Sequence, residues 1–276
     1  HNRSKYYVAN DFYNMKSDGT LHILNRFETY QQTTEYTCGA ACALMVLNWF
    51  GKKKYHEIAV SQLIESHPCK GSTVENIADF FDLIGWDVDS HSNTDRRFET
   101  IEEVESFFVN TIDSGTPIMV DWVDWAGHWQ VLIGIDTCSS ETPYDDVLIF
   151  ADPYDVTDHK QDGYYTFPLG RFFGMWREGP CAGKIEPYKQ PFVKVLPLIP
   201  QPNRSVLSLC RRAPSCSHRE RFLFFPIPFC HEFVNESMHV LLTLPCDALG
   251  DIGVHHIGQQ KQLFIEMIDS RGLAPC

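Results

Sequence analysis

The sequence predicts an α+β domain, a helical half packed on an antiparallel sheet. Two observations carry that expectation. Capped and apolar helical segments crowd residues 38 to 112, and short β-branched runs follow from residue 117. Helices first and neighbouring strands afterwards is the order of an α+β fold, not of alternating βαβ units.

Residues Cys38 to Phe50 have small or apolar side chains on most faces and stop at Gly51, which marks a helix and its C-terminal end. Residues 55–66 read as a second helix. Ser72-Thr73-Val74-Glu75 reads as a capping box, opening a helix that runs to about Ile84 and ends at Gly85. Thr100-Ile101-Glu102-Glu103 repeats the signal for a helix to about Ile112, ended by Ser114-Gly115. The period then changes. Pro117 to Val123, Trp129 to Ile135, Val147 to Ala151 and Tyr164 to Phe167 have the length and composition of strands. Leu169 to Trp176 reads as a short closing helix.

Charge and cysteine are unevenly spread over the 276 residues. The net charge of −13 lies entirely in residues 1–200, while 201–276 is balanced and holds half of the ten cysteines. Pro191, Pro197, Pro200 and Pro202 mark the join. The expected organisation is an N-terminal extension (1–27), a main domain (28–200) and a tail (201–276) of uncertain structure, whose composition also fits a sequence extended past its natural end. Cys210, Cys216, His218, Cys230 and His231 lie in that tail, at spacings that fit no metal-ligand pattern. No CxxC pair occurs, and no metal or cofactor is expected.

An acidic chain is a poor partner for nucleic acid, since phosphate binding needs clustered Lys and Arg. No run of about 18 apolar residues is present, so no membrane span is expected. The chain starts at His1 without Met, which is compatible with a removed signal peptide. The expected setting is soluble, cytoplasmic or secreted.

The chemistry-bearing residues begin at Cys38. A thiol at a helix N-terminus meets the positive end of the macrodipole and free N–H groups, and both favour the nucleophilic thiolate. Gly39 and Ala40 have little side chain, so a substrate backbone can approach. Gln32, six residues earlier, offers an amide to a developing oxyanion alongside the Cys38 backbone N–H. Cys42 lies one turn further on and is assigned to the core. His128 opens the apolar run Trp129 to Ile135, where a strand entrance holds an imidazole rigidly and Trp125 and Trp129 can exclude water. Asp152 follows the next strand, within reach of His128 Nδ1, where it would fix the tautomer. The loop Asp121-Trp122-Val123-Asp124-Trp125 reads either as a cleft wall or as a surface turn with two half-buried Trp. Taken singly, each candidate also has a plain structural reading: a buried thiol, an edge histidine, an Asp-Pro turn.

Taken together the residues resemble a family. Gln32, Cys38-Gly39, the Gly115-Thr116-Pro117-Ile118 strand start, Gly127-His128-Trp129, Asp152-Pro153 and the aromatic stretch Gly170 to Trp176 resemble the C39 and C39-like cysteine peptidases, the bacteriocin-processing group, over roughly residues 28–178. The resemblance implies a papain-like fold with Cys38 as nucleophile, His128 as general base, Asp152 as orienter and Gln32 as oxyanion donor. It implies hydrolysis of a peptide or other amide through a thioacyl intermediate, with a peptide or protein as partner and no cofactor. The processing enzymes of this group are domains of membrane transporters that cut after a double glycine. This sequence has neither a membrane span nor a P-loop. Two alternatives stay open: an acyltransferase or transglutaminase-like enzyme with the same triad, and an inactive papain-like peptide-binding module.

Overall fold

The computed structural model describes residues 10–124, 127–156, 160–179 and 186–198. The tail 201–276, with its five cysteines, lies outside the described residues. In chain order the elements are β1 (Leu21–Ile23), α1 (Cys38–Trp49), α2 (Glu57–Leu63), α3 (Val74–Leu83), β2 (Trp86–Asn93), α4 (Ile101–Asp113), β3 (Ile118–Trp122), β4 (His128–Asp136), a 3₁₀ turn (Pro143–Asp145), β5 (Val147–Ala151), β6 (Tyr164–Pro168), α5 (Leu169–Met175) and β7 (Lys189–Pro197). The α+β expectation holds: helices pack on one antiparallel sheet ordered β2-β7-β3-β4-β5-β6, with β1 added to β4. Among the described residues no helix is long and apolar enough to cross a membrane.

β4 organises the sheet. Its first half, His128 to Leu132, pairs with β3, and its second half, Gly134 to Asp136, pairs with β1. β5 runs along the other edge. Side chains His128 to Ile135 are all buried, as expected of a strand covered on both faces. α1 packs against β4 and is buried from Cys38 to Leu47. That explains its sequence: a helix enclosed on all sides carries small and apolar residues all round rather than a stripe. α4 and α5 contribute to an aromatic core with Phe108, Trp122, Phe150, Phe172, Trp176 and Phe192. Tilted and edge-on ring pairs within it, such as Trp122–Phe172 at 5.3 Å, avoid face-to-face repulsion.

The capping signals resolve differently. Thr100 caps α4 as expected: its Oγ1 accepts from Glu103 N–H (3.3 Å), and the Glu103 carboxylate accepts in return from Thr100 N–H (3.3 Å). At α3 the cap is Thr73, one residue later than expected, with Oγ1 accepting from Asn76 N–H at 3.2 Å. Ser72 is turned away, its hydroxyl 2.8 Å from that of Ser66. Gly85, at φ +79°, takes the left-handed turn that ends α3 and starts β2 at once.

Three strands were absent from the expectation, and each has a physical reason. β2 is polar (Trp-Asp-Val-Asp-Ser-His-Ser-Asn) because it is an edge strand with only β7 beside it. β1 is three residues long. β7 contains Pro191 and Pro197, which were expected to mark the join to the tail. β3 pairs with only Phe192 to Lys194 of β7, and Pro191 falls at an irregularity in the β2 pairing. Pro191 therefore falls in a break of the ladder, and Pro197 is the last residue of its strand.

The capping box predicts a measurable cost. Thr100→Ala should lower stability by about 1 kcal/mol. Urea unfolding checks this, and an unchanged midpoint would mean that the α4 cap contributes nothing.

Candidate active site

Antiparallel pairing brings the start of β4 beside the end of β5. Val131 lies opposite Ala151, so His128 and Asp152 emerge at the same end of the sheet. Cys38 begins α1, the helix that packs on β4. Three residues separated by up to 114 positions are thus delivered to one place by two strand ends and a helix start.

The central contact is a hydrogen bond of 2.7 Å between His128 Nε2 and Asp152 Oδ1, both side chains being buried. The expectation had been Nδ1. The structure uses Nε2 instead, which leaves Nδ1 free of Asp152, and Cys38 lies close enough to raise the pKa of the ring. Asp152 Oδ1 accepts a second bond from Tyr154 N–H at 2.8 Å. The Asp-Pro turn is therefore part of the arrangement: Asp152 folds the following backbone onto its own carboxylate. The Asp152 backbone N–H is itself fixed by Gly163 O at 2.8 Å.

The electrostatics follow from this geometry. Burial alone would lower the His128 pKa. The hydrogen bonds to Asp152 and Cys38, and the charges of both, override it and hold the ring at about 10. Burial would raise Asp152, but the His128 hydrogen bond and charge, with the Tyr154 N–H and Gln130, hold its carboxyl below the usual range. Cys42 is the opposite case. It is fully enclosed, and burial together with the nearby Cys38, Asp152 and Asp121 pushes its thiol well up, so it stays a protonated core residue.

The start of α1 has no side-chain cap. Thr37 turns its hydroxyl back to Thr34 O (3.1 Å) and leaves the first N–H groups of the helix without a side-chain acceptor. Gly39 serves packing, not the substrate approach expected of it. A Cβ there would stand 2.7 Å from Ser72 Cβ, and Ala40 is wholly buried. Trp129 reaches the same loop, its Nε1 donating to Ser72 O at 2.9 Å. Trp125 lies outside the described residues. Gly127, at φ +116° and with Gly179 Cα 3.1 Å from a Cβ position, gives β4 its entrance. Trp122 is neither a cleft wall nor half-buried: it is 0% exposed, inside the aromatic core.

Gln32 lies on a loop tied to the other residues through its backbone. Its N–H donates to Pro153 O (2.8 Å), and Thr33 N–H donates to the buried Glu57 Oε1 of α2 (2.9 Å). Its side chain is turned to its own loop. Nε2 donates to Thr34 O at 2.8 Å, and Oε1 is buried without a partner among the described residues. Sequence reasoning missed two neighbours. The Tyr154 ring stands edge-on to the His128 ring at 6.3 Å, and Gln130 is a fully buried amide. The second had a signal, since a lone Gln inside an apolar strand needs partners.

The chain matches the model of the Peptidase_C39 like family over residues 24–180, and it belongs to that family. No curated protein matches it closely enough to count as a relative. Two solved structures resemble it weakly. One is a double glycine motif protease from an AMS/PCAT transporter in complex with the leader peptide. It is 16% identical, with a TM-score of 0.38, covering 61% of this chain and 90% of that one. The other is the peptidase domain of Streptococcus ComA, a bifunctional ABC transporter involved in quorum sensing. It is also 16% identical, with a TM-score of 0.42, covering 62% and 98%. The α+β fold of the chain is therefore that of a papain-like, C39-like domain.

Two outcomes are expected. Gly39→Ala should force Ser72 away from the helix start, lower the melting temperature and disturb the Trp129 fluorescence; an unaltered melting curve would contradict the close contact. The folded His128 value lies above 6.5, so its contribution to stability is complete below pH 6.5 and is lost as the pH rises through about 10. The urea midpoint of the parent should fall over that window more steeply than that of His128→Gln, and equal slopes would contradict the raised value.

Proposed function

We propose that the chain is a cysteine peptidase that hydrolyses peptide or protein substrates through a thioacyl intermediate. The observation that carries this reading is the buried His128 ring, which bonds Asp152 through Nε2 and has its pKa raised by Cys38, a thiol at an uncapped helix start. Membership of the family supports it.

Cys38 is the nucleophile. Its thiol proton resides on His128, and the thiolate attacks the substrate carbonyl carbon. The C=O electron pair moves to oxygen, and the Cys38 backbone N–H is placed to donate to it. Gln32 supplies the second donor from its amide, whose other bond is to Thr34 O. The intermediate collapses, the C–N bond breaks, and His128 gives its proton to the leaving amine. A water then loses a proton to His128 and attacks the thioester, which releases the acid and returns the proton and thiolate to the resting pair. Asp152 holds the ring through both halves without taking the proton. The net charge of the imidazolium and thiolate stays near zero, so the pair is tolerated near the buried sheet end.

The test needs no known substrate. Alkylation of Cys38 by iodoacetamide, followed by mass spectrometry, should be at least about 10²-fold slower at pH 6 in His128→Ala than in the parent. In the same preparations a mixed peptide library should be cut by the parent and left intact by Cys38→Ala. Equal alkylation of parent and His128→Ala would sink the reading and favour an inactive peptide-binding module.

A further inference from the structure

Gln130 is the third residue of β4 and is 0% exposed, in a strand otherwise apolar from Trp129 to Ile135. Its amide has a fixed orientation. Trp122 Nε1–H donates to Gln130 Oε1 at 2.7 Å, in the buried interior. With the oxygen held by the indole, Nε2 must point the other way. That nitrogen is buried and has no acceptor at ordinary hydrogen-bond distance among the described residues. A buried donor without an acceptor is unfavourable, and in native proteins it calls for an explanation.

The strand register supplies one. Val131 faces Ala151 across the β4–β5 ladder, so the next position towards the sheet end sets Gln130 against Asp152. Residues opposite one another on paired strands project to the same face. The Asp152 carboxylate is therefore the acceptor that the amide faces. Its Oδ1 already takes His128 Nε2 and Tyr154 N–H, which leaves Oδ2 for a third donor. The depressed carboxyl of Asp152 owes part of its shift to Gln130, in keeping with an amide that lies close without a fully formed bond. Bonds of this kind in ligand-free sites commonly tighten when substrate arrives.

We propose that Gln130 is a positioning residue, whose amide, locked by Trp122, holds the Asp152 carboxylate on His128. The aromatic core is thereby coupled to the site: Trp122 fixes Gln130, Gln130 fixes Asp152, and Asp152 fixes the ring that faces Cys38. The role rests on the Cys38–His128–Asp152 reading above, but the coupling itself is a statement about Asp152 and is measured there.

The experiment is a carbon-13 NMR titration of the side-chain carboxyls in the full chain, with the Asp152 signal assigned from Asp152→Asn. Gln130→Leu should move the Asp152 midpoint upward, and the acid limb of the Cys38 alkylation profile with it, so that the alkylation rate at pH 5 falls about tenfold. Trp122→Phe keeps a ring in the core but removes the N–H. It should move the Asp152 midpoint the same way by less. An unmoved midpoint in both variants, with only the melting temperature lowered, would overturn the proposal and leave Gln130 as a residue that ties β3 to β4. If Gln130→Leu does not fold, Trp122→Phe decides alone. Failure of the peptidase reading looks different: parent and His128→Ala alkylate alike, whatever Asp152 does.

Discussion

The antiparallel pairing of β4 with β5 is the constraint on which the rest of the structure depends. It sets the start of one strand against the end of the next, and so brings His128 and Asp152 within 2.7 Å although 24 residues separate them. A shift of a single residue in this register would send each side chain to the opposite face of the sheet. Leu132 and Ile135 of β4 share the aromatic core with Leu148 and Phe150 of β5, which holds the register. The same ladder has a local irregularity between Leu132 and Gly134, where Ile133 is accommodated and β1 joins the strand. Hydrophobic packing and the geometry of the candidate site are thus one arrangement: the core that makes the sheet stable also decides where an imidazole and a carboxylate meet.

Burial works against both charged groups, and the pair persists because each meets the other's need. Desolvation pulls the His128 value down and pushes the Asp152 value up, yet the direct bond reverses both, with Cys38 adding to it at the ring and the Tyr154 N–H and Gln130 at the carboxylate. An ion pair in such a place is not a strong source of stability, since well-packed apolar residues of similar size often do as well. Removing one partner alone is the costly change, because it leaves a buried charge uncompensated. The aromatic core already closes the sheet without help from these two side chains. A structural role alone therefore gives little reason for the pair, and a chemical role gives a clear one.

Much of the fold was legible because its signals were local. The capping box at Thr100, the apolar enclosure of α1 and the β-branched runs of β3, β4 and β5 each follow from a few adjacent residues. What escaped was non-local. β2 looks polar until β7 is placed beside it, and β7 looks like a proline-marked boundary until its pairing with β3 is seen to stop short of Pro191 and Pro197. The site divided the same way. Cys38, His128 and Asp152 announce themselves by their positions at element ends, but which ring nitrogen bonds Asp152 is set by how β4 and β5 bring the two side chains together. Gln32 was singled out by its place six residues before Cys38, while its bond to Thr34 O is a property of a loop conformation. Trp122 was misread because an acidic flank masked a side chain that belongs to the core.

Gln130 shows why a buried polar residue in an apolar strand is informative. A strand of this kind gains nothing by carrying an amide unless the amide's donors and acceptor are used. The oxygen is used by Trp122, so the question becomes what the nitrogen is for. A Leu or Val at the same place would fill the interior without any such demand. The role proposed for the amide is to set a neutral donor beside the carboxylate that bonds His128. A cation there would compete with His128 for Asp152, and an apolar group would leave the carboxylate underbonded. In the proposed role an amide would strengthen the carboxylate's hold on His128 without displacing the ring.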